Sequence, residues 1–203
     1  MRSLITFLLS LLASGLFIAK ERYLKKSLGL ETWPLWKSLL ALCVLFYLGM
    51  GFLIRDKGPL QAFYFCLVLG QVLWMGYLDL KTGGFYRLDY GCLGILALIH
   101  IVQNPSWSSI FASLLAGLFF FLIEKLTHGF GEGDKYFVFL TGLFINPPRL
   151  VYHYLSASFI LAGGICGVLM VINHWDRKKE IPLGPFLSAG FLGIYIFKEY
   201  LCC

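Results

Sequence analysis

Two aspartates in this chain stand where an apolar run meets polar residues, and the chemistry they bring is that of a carboxyl pair. Asp79 closes a run, in Tyr77-Leu78-Asp79-Leu80-Lys81-Thr82, and Asp134 opens one, in Gly129-Phe130-Gly131-Glu132-Gly133-Asp134. The chain has only 11 acidic residues, and acids beside long apolar runs are costly enough to be weighed as functional. Two carboxyls held together divide the addition of water to a carbonyl. The ionised one accepts a proton from water while its protonated partner polarises the carbonyl oxygen. Gly129, Gly131 and Gly133 let the backbone turn tightly and approach an extended substrate strand. Each acid alone has a plainer reading: Asp79 as an interfacial partner of Lys81, and the Gly-rich turn as a cap closed by Asp134. Asp89 is the rival first acid, but it falls just inside the next apolar run.

The elements that must position the pair are membrane helices. The chain is 59% hydrophobic and 14% charged over 203 residues, against roughly 45–50% and 25% for soluble domains. The excess is gathered into runs, which predicts an all-α integral membrane protein, a polytopic bundle of about eight transmembrane helices. The expected spans are Ser3–Ala19, Ser38–Ile54, Leu60–Leu78, Leu88–Gln103, Ser108–Ile123, Lys135–Ile145, Leu150–Asn173 and Gly184–Leu201. The sixth is short and needs support from its neighbours. We read residues 1–203 as one polytopic domain. Residues 1–59 supply two helices around a short basic loop, 20–37, and residues 60–203 a six-helix core. The first run is followed by Lys20, Arg22, Lys25 and Lys26 rather than by a cleavage site, and is read as retained.

Orientation follows from the basic residues. The loops at 20–37, 79–87, 124–135 and 174–183 share one side and hold 12 of the 17 lysines and arginines, leaving Arg2, Arg55, Lys57, Arg149 and Lys198 on the other. The positive-inside rule places the richer side in the cytoplasm and both termini outside. Asp79 and Asp134 then return to one face and one depth, although 55 residues separate them. The net charge of +6 is explained by these flanks, so no nucleic acid is expected. The six cysteines, Cys43, Cys66, Cys92, Cys166, Cys202 and Cys203, show no CxxC spacing. No metal and no cofactor are expected. His100 is read as hydrogen-bonded between helices and His128 as solvated.

Three segments, in order, resemble the prepilin peptidase (type IV leader peptidase) family. DLKTGGFYRL (79–88) is similar to the segment in which an Asp ends a helix before a basic loop. GFGEGDKYFVFLTGLF (129–144) is similar to the GxGD segment, and IPLGPFLSAGFLG (181–193) to the stretch that opens the last helix. The resemblance implies catalysis by Asp79 and Asp134, with Gly131 and Gly133 supporting the turn. It also implies single-span prepilin-like substrates with short basic leaders, cut at the cytoplasmic face in pilus, type II secretion or DNA-uptake systems. Phe85-Tyr86 stand where the family usually has Ile-Pro, Tyr136 where a Lys is frequent, and Glu132 is unusual within GxGD. Loop 20–37 has no cysteine, where methyltransferase-associated members carry paired CxxC motifs. This looks like a peptidase-only short form. An intramembrane protease of the presenilin and signal-peptide-peptidase type fits less well, with Leu78-Asp79 and Ile181-Pro182-Leu183 at its signature positions. A small cation- or proton-coupled transporter would want acids near the midplane. Helix dipoles predict the charge on Asp134, at a helix start, and the proton on Asp79, at a helix end.

Overall fold

The computed structural model describes residues 59–127, 131–173 and 182–201. The expected spans Ser3–Ala19 and Ser38–Ile54, loop 20–37, His128, Gly129, Phe130, Cys43, Cys202 and Cys203 lie outside them. The described residues form six α-helices and no strand: α1 (Pro59–Thr82), α2 (Arg87–Gln103), α3 (Trp107–Thr127), α4 (Glu132–Gly142), α5 (Arg149–Asn173) and α6 (Gly184–Leu201). The chain divides into two compact units, Met1–Leu69 and Gly70–Cys203, and α1 runs from the first into the second. In the first, Phe65, Cys66 and Val68 of α1 are buried.

Among the described residues three helices are long and apolar enough to cross a membrane, over Phe63–Thr82, Trp107–Leu126 and Arg149–Val168. The expected bundle of about eight transmembrane helices is therefore not shown: the apolar stretch of α6, Gly184–Tyr195, is shorter, and α4 has only 11 residues. Leu114, Leu115, Leu118, Phe119 and Leu122 of α3 and Ile160, Ile165 and Val168 of α5 are exposed, as a lipid-facing surface requires and a water-facing one penalises. This is a helical membrane protein.

In the second unit α4 packs against α2, α3 and α6, and α5 lies along α6. The interior is aromatic: Phe120 stacks on Phe159 at 5.7 Å, and Phe191 meets the edges of Phe144 and Tyr154. Backbones approach where a glycine faces a serine. Added Cβ atoms at Gly76, Gly142 and Gly190 would collide with Ser188, Ser113 and Ser158 respectively. Small pairs of this kind hold helices together where lipid removes the hydrophobic drive between them. Their hydroxyls stay satisfied, Ser188 donating to the Val72 carbonyl at 2.9 Å and Ser113 and Ser158 to carbonyls one turn back.

Several helix ends differ from expectation: α3 runs on to Thr127 rather than Ile123, and the changes in α1 and α4 concern the acids. α1 runs past Leu78 to Thr82, because its stop signal is glycine rather than polarity. Gly83 adopts φ +69° and its N–H reaches the Asp79 carbonyl at 2.8 Å, a left-handed helix end that a side chain would strain. α4 begins at Glu132 rather than Lys135 and ends at Gly142. Leu143, Phe144 and Ile145 then continue buried.

Candidate active site

Asp79 sits one turn inside the C-terminal end of α1, and its carboxylate reaches the start of α6. Gly184, first residue of α6, donates its N–H to Asp79 Oδ2 at 2.8 Å. The first amides of a helix have no partner within it, so Asp79 caps α6 across 105 residues of sequence. Pro182 and Pro185 bracket this start, and a proline in a first turn costs no hydrogen bond.

Asp134 is the third residue of α4. Its Oδ2 accepts the Gly131 N–H at 3.2 Å, while its own N–H donates to the Gly131 carbonyl at 3.1 Å. That reciprocal closure is the backbone half of a capping box. The turn is held from outside by Tyr90 of α2, whose hydroxyl donates to the Gly133 carbonyl at 2.9 Å. Lys135 follows Asp134 yet turns away, pairing with Glu124 of α3 at 2.7 Å and lying over the Phe121 ring.

Both acids are buried, each 5% exposed, and they feel one another: burial first, then the charge of Asp79, pushes Asp134 up to about 7, with the Gly131 N–H pulling the other way. Asp79 has the shorter hydrogen bond and the N-terminal end of α6 in front of it, which favours a negative charge. The sequence expectation of charge on Asp134 and the proton on Asp79 weighed only the helix that carries Asp79; the start of α6 acts on Asp79 in the opposite sense.

Sequence reasoning named Gly131 and Gly133, and the structure gives each a use. Gly131 supplies the amide to Asp134, and a Cβ on Gly133 would run into the Tyr90 hydroxyl and to 2.5 Å from the Phe85 ring. It missed Tyr90 and Gly184, although the segment IPLGPF flagged the neighbourhood of the latter. Phe85 stood out only as a departure. Its ring stacks on Phe137 of α4 at 5.2 Å and 11° and meets Tyr90 edge-on. Asp89, the rival acid, is fully buried in the first turn of α2, where Gln71 of α1 donates to it at 3.3 Å. Buried His100 packs 5.3 Å from the Phe144 ring. Among the described residues no three His, Cys, Asp or Glu side chains gather as a metal site would need. Cys66, Cys92 and Cys166 are free thiols.

Two buried carboxyls on separate helices, each accepting a backbone N–H and with Asp134 pushed towards its protonated form, can between them activate a water and polarise a carbonyl. The chain is similar to a prepilin leader peptidase/N-methyltransferase of Haemophilus influenzae, 27% identical over 173 residues that cover 76% of this chain and 70% of the relative. No protein-family model and no solved structure matches it.

Proposed function

We propose, from the premise that the chain is related to the prepilin peptidases, that it is a membrane aspartic endopeptidase with Asp79 and Asp134 as its catalytic pair. Its substrates are single-span prepilin-like precursors, and it removes their short basic leaders at the cytoplasmic membrane face. The observation that carries this reading is the carboxyl pair itself: two buried acids on α1 and α4, each accepting a backbone N–H, with Asp79's charge acting on Asp134.

In the proposed reaction the Asp79 carboxylate takes a proton from water as the water oxygen bonds to the scissile carbonyl carbon. Asp134 gives its proton to the carbonyl oxygen, forming a tetrahedral diol. The diol then returns one hydroxyl proton to Asp134. The C–N bond breaks, and Asp79 delivers its proton to the departing amine, so both acids end as they began. The 12-to-5 partition of basic residues supports a cytoplasmic site in an eight-span chain with both termini outside. Basic leader residues stay on the same side by the same rule, which brings the scissile bond to the depth of the acids. The proposed activity stops at hydrolysis, since loop 20–37 has no cysteine for the motifs that accompany methyl transfer.

Co-expression with a prepilin-like precursor tests this. The intact chain should cleave it just before its hydrophobic helix, and Asp79→Asn and Asp134→Asn should each abolish cleavage while the protein still inserts. Acids that act as one unit are each indispensable. Asp89→Asn should retain most activity. Robust cleavage by either dyad variant removes that residue from the site, and a cut deep within the precursor's apolar core favours presenilin-type chemistry instead.

A further inference from the structure

Asp79 and Asp134 are 5% exposed, so a peptide cannot reach them until something moves. One side chain lies against both the amide donor of Asp79 and the turn that carries Asp134. An added Cβ at Gly184 would come within 2.7 Å of both Phe85 Cζ and Asp79 Oδ2, and one at Gly133 within 2.5 Å of Phe85 Cδ2. The Phe85 ring therefore bridges the amide donor of Asp79 and the residue next to Asp134. We infer that Phe85 is an access-controlling residue: its ring covers the carboxyl pair and swings away when a substrate strand takes its place. This rests on the carboxyl-pair reading above.

The neighbours of Phe85 are held by hydrogen bonds or full burial, whereas Phe85 is held by ring contacts. Phe137, beneath it, is fully buried on α4. Tyr90 is tied by its hydroxyl to Gly133, and Gly184 by its amide to Asp79. Phe85 is half-buried in the four-residue connection from α1 to α2, just after Gly83 and Gly84. Gly83 is left-handed, and a Cβ on either glycine would meet nothing within 4 Å. Rotation about this uncrowded pair would carry the ring outward at the cost of its contacts with Phe137 and Tyr90 and of the Thr82 hydroxyl's bond to the Gly84 carbonyl. The face it uncovers lies between the start of α6 and the first turn of α4, where a scissile carbonyl must arrive to meet both acids.

The test is chemical protection of the carboxyls, which needs no peptidase activity. Full-length protein in detergent is treated with dicyclohexylcarbodiimide near pH 6, and labelling at each acid is followed by mass spectrometry. Phe85→Ala should raise the labelling rate at Asp134 at least tenfold, and Phe85→Leu a few-fold, with Asp89, in the first turn of α2, unchanged. If Phe85→Ala aggregates, Phe85→Leu decides alone. Wild-type rates in the variant, or an equal rise at Asp89, overturn the inference. Phe85-dependent protection in a protein that cleaves no precursor would reject the peptidase reading and leave the access role standing.

Discussion

Gly184→Ala places a methyl group in the one spot where three atoms of the site converge. The new carbon would lie 2.7 Å from Asp79 Oδ2, 2.7 Å from Phe85 Cζ and 2.8 Å from Asp79 Cβ. Phe85 can rotate and the carboxylate can tilt, but Asp79 Cβ is fixed to α1, so α6 must back away. Overpacking of this kind costs about 1–3 kcal/mol. The displacement also lengthens the 2.8 Å bond from Gly184 to Asp79, and a hydrogen bond to a charged group contributes roughly 1.5–3 kcal/mol. If that loss falls on the transition state, it corresponds to about a 10- to 100-fold drop in kcat/KM, at tenfold per 1.4 kcal/mol. Gly193→Ala, on the same helix, is the control: its Cβ would meet nothing within 4 Å, and alanine stabilises a helix interior by about 0.5–1 kcal/mol. Precursor cleavage by the two purified variants, each checked for insertion and thermal unfolding, decides the matter. Gly184→Ala activity within twofold of wild type would mean that the amide of α6 does not hold Asp79 for catalysis.

Asp134 is raised from 3.8 to about 7, so cleavage that needs its proton should fall as pH rises through 7. The same shift acts on stability. A carboxyl raised in the fold contributes stability that is complete below about pH 4 and lost as pH climbs through 7, so unfolding temperature in detergent should decline over that window. Asp134→Asn should flatten the decline, and an unflattened curve would assign it to another group. For topology, a reporter fused after Leu201 should be active outside the cytoplasm, and one active only in the cytoplasm would overturn the eight-span reading.

Apolar runs made the helices legible. The α2, α3, α5 and α6 segments fall within a few residues of the expected spans, and Gly184–Leu201 coincides. Composition carries this signal because lipid permits little else. Long-range partnership carries no such signal. Nothing local to Asp79 says that its carboxylate caps a helix 105 residues away, and that contact bears directly on where the charge of the pair resides. Nor does Tyr90 differ in sequence from any interfacial tyrosine until the Gly133 carbonyl is found against its hydroxyl. Phe85 was visible only as an unusual residue, since its contacts come from three separate helices.

The length of α4 has a bearing on how the protein is made. Its 11 residues extend about 16 Å, half of a hydrocarbon layer about 30 Å thick. Past Gly142 the chain leaves the helix and bends through Leu143–Ile145 to the cis Asn146–Pro147 bond, with Phe144 and Ile145 amides turned back onto Thr141 and Gly142. A segment this short offers a nascent chain too little apolar length to leave the translocation machinery by itself. It packs along α3, however, and Lys135 meets Glu124 on that helix. α4 is therefore expected to enter lipid only alongside α3, which is long and apolar enough to cross by itself.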